Sequence, residues 1–220
     1  MKYATLLPSN KKIRINNIFC VGKNYADHAK EMGGELPKEP MIFLKPTSAI
    51  IENGAPIVLP KMSNNVHHEV ELTVLIGKGG KNIPPSSAMS HIAGYGIGLD
   101  ITLRDKQAES KKTGGPWTIA KGFDTSGPLS PFVDASSVTD PQSLEIILKV
   151  NGKKRQHSNT KQMIFRIETL ISFLSSIFTL EEGDVLYTGT PEGVGQIVAG
   201  DILEAEIPTV GSLKHSVVSQ

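Results

Sequence analysis

Hydrophobic residues come in short runs that are separated by glycine, proline and polar residues. Runs of this kind are typical of β-strands joined by tight turns. They predict strands at residues 3–7, 11–15, 18–21, 41–44, 67–77, 94–100, 144–151, 184–188, 202–207 and 211–218. Helices are predicted at residues 24–32, 86–93, 102–112 and 164–177, the last from apolar residues at helical spacing. Because no repeat and no linker divides the chain, we expect a β-rich α+β fold in a single domain, residues 1–220.

The predicted strand at 67–77 contains Glu69 and Glu71 among apolar residues. Side chains alternate between the two faces of a strand, so both carboxylates point the same way, about 7 Å apart at Cβ. The apolar neighbours indicate a buried strand, and buried like charges repel unless a proton or a cation lies between them. We therefore expect this pair to bind a divalent cation.

Asp100 ends the glycine-rich strand predicted at 94–100 and offers a third carboxylate to the same ion. Three carboxylates completed by water suit a hard cation, Mg²⁺ in particular, with Mn²⁺ or Ca²⁺ as substitutes. On this pattern alone, the alternative is that the three carboxylates are solvated at the surface of the sheet.

Three side chains after these acids offer contacts to an anionic substrate. Arg104 and Gln107 lie three residues apart on the helix predicted at 102–112, where an Arg fork and an amide suit a carboxylate. Lys121 follows an apolar run and offers a positive charge that would stabilise developing negative charge. The alternative for each is an ordinary surface side chain.

His28 and Glu31 lie three residues apart on the short helix predicted at 24–32. A carboxylate at one imidazole nitrogen raises the basicity of the ring and orients the other nitrogen as a general base. Two glycines and a polar loop follow, so the segment is a candidate lid. The alternative is a surface helical pair.

A loop of small residues at 188–195 presents Thr190 and several backbone N–H groups, which suit an anionic ligand. The loop does not match the Walker phosphate-binding pattern. A purely structural turn is the alternative.

The composition narrows the class of partner. The chain has 39% hydrophobic and 20% charged residues and a formal net charge of +1, and no basic block favours nucleic acid or a membrane surface. It shows no signal peptide and no apolar run long enough to span a bilayer. Cys20 is the single cysteine, which excludes an internal disulfide and suits a reducing compartment. We therefore expect a cytoplasmic protein whose partner is a small molecule.

Taken together, these residues resemble the fumarylacetoacetate hydrolase family, and most closely its short single-domain branch, the acylpyruvate hydrolases. Six segments within residues 18–195 carry the resemblance and follow the family's order. They are VGKNYADHAKEMG (21–33), IFLKPTSAI (42–50), HHEVELTVLIG (67–77), GYGIGLDITLRDKQ (94–107), PWTIAKGFDTSGPL (116–129) and TGTPEGVG (188–195). Six co-linear segments are far more specific than any one of them.

The resemblance implies a mixed β-sandwich roll, usually a homodimer, and a metal-dependent active site. The ligands of Mg²⁺ or Mn²⁺ would be Glu69, Glu71 and Asp100. The pocket for a small anionic 2-oxo acid would be lined by Lys23, Lys45, Arg104, Gln107, Lys121 and Thr190. In hydrolytic members, the residues corresponding to His28 and Glu31 activate water.

Lys23 departs from the family pattern, because many acylpyruvate hydrolases carry arginine there. Lysine keeps the positive charge but loses the bidentate fork of arginine, and this changes how the residue binds the substrate.

Three functions remain open at this point. The first is hydrolysis of the C–C bond of acylpyruvates, which are 2,4-dioxo acids, to pyruvate and a carboxylic acid. The second is decarboxylation or tautomerisation of oxaloacetate, or isomerisation of an unsaturated oxo-diacid in aromatic catabolism. The third is an inactive homologue that binds a metal and an oxo acid. The same enolate-stabilising site serves every reaction, so the lid decides among them.

Overall fold

The computed structural model describes residues 1–31, 33 and 36–220, and strands predominate among them. The strands are Tyr3–Leu7 (β1), Lys11–Arg14 (β2), Ile18–Gly22 (β3), Met41–Lys45 (β4), Ile50–Glu52 (β5), Ile57–Leu59 (β6), Val66–His68 (β7), Val70–Ile76 (β8), Ile92–Leu99 (β9), Thr102–Leu103 (β10), Gly127–Leu129 (β11), Phe132–Asp134 (β12), Glu145–Val150 (β13), Lys153–Asn159 (β14), Val185–Tyr187 (β15), Gly195–Gln196 (β16), Ile202–Ile207 (β17) and Gly211–Ser219 (β18). The α-helices are Ala26–Glu31 (α1), Pro85–Ala88 (α2), Arg104–Thr113 (α3), Thr118–Lys121 (α4) and Ile167–Ile177 (α5). Short 3₁₀ turns lie at Thr47–Ala49, Met89–His91, Ala135–Ser137 and Thr160–Gln162.

The predicted β-rich α+β fold is confirmed, although several short strands were not predicted and some elements differ in their bounds. The strand predicted at 67–77 is interrupted at Glu69, which separates β7 from β8. The helix predicted at 86–93 is shorter, because β9 begins at Ile92 and its backbone pairs with β8. The short helix α4 was not predicted, because its four residues lack a helical pattern of their own. The helix predicted at 24–32 and the two glycines after it lie partly outside the described residues, which do not include Met32, Gly34 and Glu35.

A large mixed sheet organises the fold. Its strands run in the order β2-β1-β12-β9-β8-β15-β3-β4, and β11 joins β5 to β9. The antiparallel pair β8 and β9 lies in the middle, with Val70 opposite Leu99 at one end. Strand β8 is fully buried because it is covered on both faces.

A second sheet has the order β14-β13-β17-β18-β6, and β7 lies between β10 and β16 in a small third sheet. The larger hydrophobic cluster includes α5, the second sheet and the even-numbered face of β8, Val70 to Ile76. The other face of β8 carries Glu71, Thr73 and Leu75, and only Leu75 belongs to the second apolar cluster. Alternation along the strand therefore directs Glu71 away from the main core.

No helix among the described residues is long and apolar enough to cross a membrane.

Glycines on β9 make room for the side chains that surround the acids. Gly98 lies opposite Glu71 in the ladder, and a Cβ built on it would be 2.3 Å from Cε1 of Tyr187. The Tyr187 ring is fully buried, and its hydroxyl donates to the Pro128 carbonyl at 3.1 Å. The space that the missing side chain of Gly98 leaves on β9 is therefore filled by an aromatic ring.

We predict that Gly98→Ala lowers the free energy of unfolding by about 1–3 kcal/mol, because the new methyl group must displace a ring locked in the core. Urea unfolding followed by fluorescence measures the change. Gly115→Ala is the matched control, since its Cβ would approach only the Thr113 hydroxyl, at 3.3 Å, and we expect a smaller effect. Equal stability losses in the two variants would contradict the prediction.

Candidate metal centre and active site

The three predicted acids meet at one end of the β8–β9 pair. Glu69 occupies the break between β7 and β8, Glu71 lies in β8, and Asp100 directly follows β9. Because the two strands are antiparallel, the start of β8 lies beside the end of β9. The backbone N–H of Asp100 donates to the carbonyl of Glu69 at 2.8 Å, which joins the two acidic segments directly.

The carboxylates converge as the sequence predicts. One oxygen from each of Glu69, Glu71 and Asp100 lies within 4.8 Å of the others, and the three residues are 4%, 1% and 1% exposed. The alternative of solvated surface carboxylates is therefore wrong for this protein. Burial, followed by the charges of Asp100 and Glu69, raises the pKa of Glu71 well above its usual range.

Lys121 is the main counter-charge to this cluster. Its ammonium donates to Glu69 Oε2 at 2.8 Å, Asp100 Oδ2 at 2.5 Å and Thr102 Oγ1 at 2.7 Å. Burial alone would lower the pKa of Lys121, but the attraction of Asp100 and Glu69 outweighs it and raises that pKa. Lys121 is therefore a buried ammonium group, and a surface role for it is excluded.

Lys45 contacts the acidic cluster from outside the pocket. Its ammonium lies 2.8 Å from Asp100 Oδ1 and 3.2 Å from Ser126 Oγ, and it also donates to the Lys121 carbonyl. Lys45 is not among the residues that line the pocket. The structure thus places this predicted substrate contact in a supporting position, where it orients Asp100 and the segment that carries Lys121.

Arg104 and Gln107 lie on one face of α3, as predicted. The Arg104 guanidinium donates to Glu69 Oε1 at 2.5 Å and to Gln107 Oε1 at 2.7 Å. Both residues line the pocket. The arginine fork is therefore engaged by protein groups, and it orients Glu69 as well as facing the pocket.

The donor set fits a hard divalent cation. Glu71 has the backbone N–H of Gly189 as a hydrogen-bond donor at 2.6 Å, but no cationic side chain of the described residues lies within 4 Å of it. A buried carboxylate with two acidic neighbours and no ion pair is stabilised by a bound cation. Oxygen ligands alone favour Mg²⁺, Mn²⁺ or Ca²⁺ over softer metals.

The predicted dyad is formed on α1. His28 Nδ1 lies 3.2 Å from Glu31 Oε2, and His28 lines the same pocket as the three acids. The Glu31 carboxylate also accepts from the backbone N–H of Gly193, at 3.1 and 3.2 Å. Glu31 therefore connects α1 to the 188–195 loop while it holds the imidazole.

Gln156 is a supporting residue that the sequence pattern did not reveal. Its Oε1 accepts from Val70 N at 3.1 Å and pairs with His68 Nδ1 at 3.0 Å, and its Nε2 donates to Thr190 Oγ1 and the Pro191 carbonyl, both at 2.8 Å. The side chain is fully buried. One amide thus ties the residues on either side of Glu69 to the loop that carries Thr190. Its position on a polar, mostly exposed strand offers no sequence signal.

Lys111 was also missed, although a signal exists. Arg104, Gln107 and Lys111 follow the spacing of one helix face, and all three line the pocket.

The pocket has an empty volume of about 370 Å³, open to solvent, and is lined by Val21, Gly22, Lys23, His28, Phe43, Glu69, Glu71, Asp100, Arg104, Gln107, Lys111, Trp117, Lys121 and Thr190. Its polar lining and the positive charges on it suit a small anionic molecule.

The family model described as fumarylacetoacetate (FAA) hydrolase C-terminal matches residues 17–218. The chain belongs to the fumarylacetoacetate hydrolase family. It is 51% identical over 201 residues to the mouse (Mus musculus) protein named oxaloacetate tautomerase FAHD1, mitochondrial, covering 91% of each chain. This family membership confirms the resemblance seen in the six sequence segments.

Solved structures of the family share the fold. A fumarylpyruvate hydrolase from Pseudomonas aeruginosa in complex with Mn²⁺ and pyruvate is 39% identical, with a TM-score of 0.96 over 100% of this chain and 96% of that one. A 5-carboxymethyl-2-hydroxymuconate delta-isomerase from Mycobacterium smegmatis is 43% identical, with a TM-score of 0.85 over 95% and 81% of the two chains. The predicted β-sandwich roll is thereby confirmed. The names of these family members cover tautomerisation, hydrolysis and isomerisation.

We predict that Glu71→Gln weakens Mn²⁺ binding by on the order of 100-fold, because ligand charge sets the affinity for hard cations. The metal-free variant should be no less stable than the wild type, since the substitution removes a like charge from a buried cluster. Titration calorimetry measures the affinity, and thermal unfolding measures the stability. Glu109→Gln, at an exposed position of α3, is the control and should leave both unchanged. An unaltered Mn²⁺ affinity in Glu71→Gln would exclude Glu71 as a ligand.

We predict that Gln156→Met lowers the free energy of unfolding by about 1–3 kcal/mol, because His68, Val70 and Thr190 lose buried partners. It should also weaken Mn²⁺ binding, since the backbone around Glu69 loses its support. Gln196→Met is the control, because that amide makes one exposed hydrogen bond, to the Asn64 carbonyl. Loss of stability with unchanged Mn²⁺ affinity would show that Gln156 does not position the acids.

Proposed function

We propose that this protein is a divalent-metal-dependent enzyme that interconverts the keto and enol forms of oxaloacetate. The observation that carries the proposal is the ammonium of Lys121 held between Glu69 and Asp100, in the pocket that His28 also lines. A fixed positive charge and a base in one pocket are what removal of a proton beside a carbonyl group requires. The mouse relative named oxaloacetate tautomerase supports the choice of substrate.

Glu69, Glu71 and Asp100 would hold Mg²⁺ or Mn²⁺. A bound divalent ion supplies a Lewis acid that favours loss of a proton beside the 2-oxo group of the substrate. The Pseudomonas structure with Mn²⁺ and pyruvate supports a cation of this class, and Ca²⁺ remains a substitute.

His28 would act as the general base. Glu31 accepts from Nδ1, so the unshared pair on Nε2 is left to take a proton from C3 of oxaloacetate. The C–H electron pair then forms the C2–C3 double bond, and the former carbonyl pair moves to the oxygen on C2. Glu31 stabilises the imidazolium that results.

Lys121 would act at the oxygen on C2. Its raised pKa keeps it charged, so the ammonium stabilises the negative charge that develops on this oxygen, and water supplies the proton that completes the enol. Glu69, Asp100 and Thr102 accept its three N–H groups and fix its position before the reaction, so little reorganisation is needed. Proton exchange with water then returns His28 to the neutral form.

Hydrolysis of acylpyruvates is the second candidate. The His28–Glu31 dyad is equally suited to deprotonating a water molecule that attacks the C4 carbonyl, and the Pseudomonas relative is named fumarylpyruvate hydrolase.

Decarboxylation of oxaloacetate would need only the stabilised enolate and no base. The homodimer and the cytoplasmic location stay predictions, and the mouse relative is named as mitochondrial.

A substrate panel with Mg²⁺ or Mn²⁺ tests the proposal. It comprises conversion of enol-oxaloacetate to the keto form, coupled to malate dehydrogenase, together with CO₂ release and acetylpyruvate hydrolysis. We expect enol conversion to be the fastest metal-dependent reaction. Faster hydrolysis would favour the second candidate, and no turnover of any compound would favour an inactive binding protein.

We predict that His28→Ala lowers enol conversion by about 10²–10⁴-fold, because the general base is lost. Release of CO₂ should fall much less, because that reaction needs no base at His28. Asp27→Ala, which removes an exposed partner of Lys30 on the same helix, is the control and should leave both rates unchanged. Equal losses of the two activities in His28→Ala would mean that His28 only shapes the pocket.

A further inference from the structure

Two lysines in the pocket have no partner in the chemistry described above. Lys23 and Lys111 both line the pocket, and no carboxylate of the described residues lies within 4 Å of either ammonium. They differ in this from Lys121, Lys45 and Arg104, which all pair with the acids. Their charges are therefore free to meet a ligand.

Lys23 is held by a constrained backbone. It follows β3 with φ of +57°, a left-handed conformation that is unfavourable for a residue with a side chain. The next residue, Asn24, is fully buried and donates to the carbonyls of Thr188 and Phe165 at 2.8 and 3.0 Å. The turn that brings Lys23 to the pocket is thus anchored to the 188–195 loop and to the segment before α5.

Lys111 is positioned by an aromatic wall. Its ammonium lies 5.5 Å from the centroid of the Trp117 ring, a distance typical of a cation–π contact. Trp117 packs on Phe43 with ring centroids 5.7 Å apart, and the Phe43 ring lies 5.0 Å from the ammonium of Lys121. Two lysines therefore flank one aromatic pair, with Lys121 at the acids and Lys111 away from them.

The positive charges that line the pocket favour a ligand with two negative charges. Lys45, Lys121 and Arg104 pair with Glu69 and Asp100, and Glu71 is left for a divalent ion, so the charges of Lys23 and Lys111 have no acidic partner among the described residues. Desolvation, followed by repulsion from Arg104 and Lys23, lowers the pKa of Lys111. An anion that binds beside these groups relieves that repulsion.

We infer that Lys23 and Lys111 form a subsite for a second carboxylate, which makes the pocket selective for short dicarboxylates with an oxygen on C2. Lysine suits this position because a single ammonium acts as a point charge and accepts carboxylates in several orientations. The inference rests on the proposed function in one respect, that the first carboxylate of the ligand binds at the acidic centre.

Binding of two unreactive acids to the Mg²⁺-loaded protein tests the subsite. L-Malate and 2-hydroxybutyrate have the same chain length and the same 2-hydroxy acid end, but malate ends in a carboxylate and 2-hydroxybutyrate in a methyl group. We expect malate to bind at least about tenfold more tightly, because a charge-assisted hydrogen bond contributes about 1.5–3 kcal/mol. Lys111→Met should weaken malate binding about tenfold and change 2-hydroxybutyrate binding by less than about twofold.

Lys112→Met is the matched control, because Lys112 is an exposed neighbour on α3 that does not line the pocket. It should leave the malate preference unchanged, while Lys23→Met should reduce it as Lys111→Met does, and Lys111→Arg should keep it. Equal affinity of the wild type for the two acids, or equal loss of both in Lys111→Met, would overturn the inference.

Failure of the subsite and failure of the proposed function are distinguishable. A malate preference that depends on Lys111 in a protein that does not turn over oxaloacetate would leave the subsite intact and exclude the tautomerase function. Turnover of oxaloacetate with no preference for malate would retain the function and exclude the subsite.

Discussion

The structure depends on the burial of three carboxylates in one small volume. Taking ionised carboxylates out of water costs several kcal/mol each, and their mutual repulsion adds to that cost. The fold offsets it with two buried lysines and one arginine, each pointed at a specific carboxylate oxygen. Glu71 is left without a cationic partner among the described residues, and this residual imbalance makes the centre receptive to a divalent cation.

This requirement explains several local features of the fold. Strand pairing alone would continue from β7 into β8, but the ladder breaks at Glu69, where the side chain meets Lys121 and Arg104. Gln156 supplies partners on both sides of the break, because its amide oxygen accepts from the backbone N–H of Val70 and pairs with the imidazole of His68. The interruption of the strand ladder thus coincides with the site.

In the proposed mechanism, the part of the site that stabilises charge is separate from the part that moves protons. Lys121 and the acids belong to the sheet and to α4, which packs beside it, and so they are rigidly placed. His28 and Glu31 belong to a short helix attached to the 188–195 loop through one backbone donor, Gly193. This division accounts for a family whose members carry out tautomerisation, hydrolysis and isomerisation on one scaffold.

The sequence by itself determined the strand-rich class, most of the elements and the close spacing of Glu69 and Glu71, because periodicity and short spacings are local properties. It also indicated α3 and the His28–Glu31 pair, for the same reason. The antiparallel pairing of β8 with β9 brings Asp100 to these two glutamates. Only the tertiary structure decided that Lys45 contacts Asp100 outside the pocket and that Gln156 joins the strands on either side of Glu69 to the 188–195 loop. Those roles arise from contacts between residues far apart in the chain, and no local pattern encodes them.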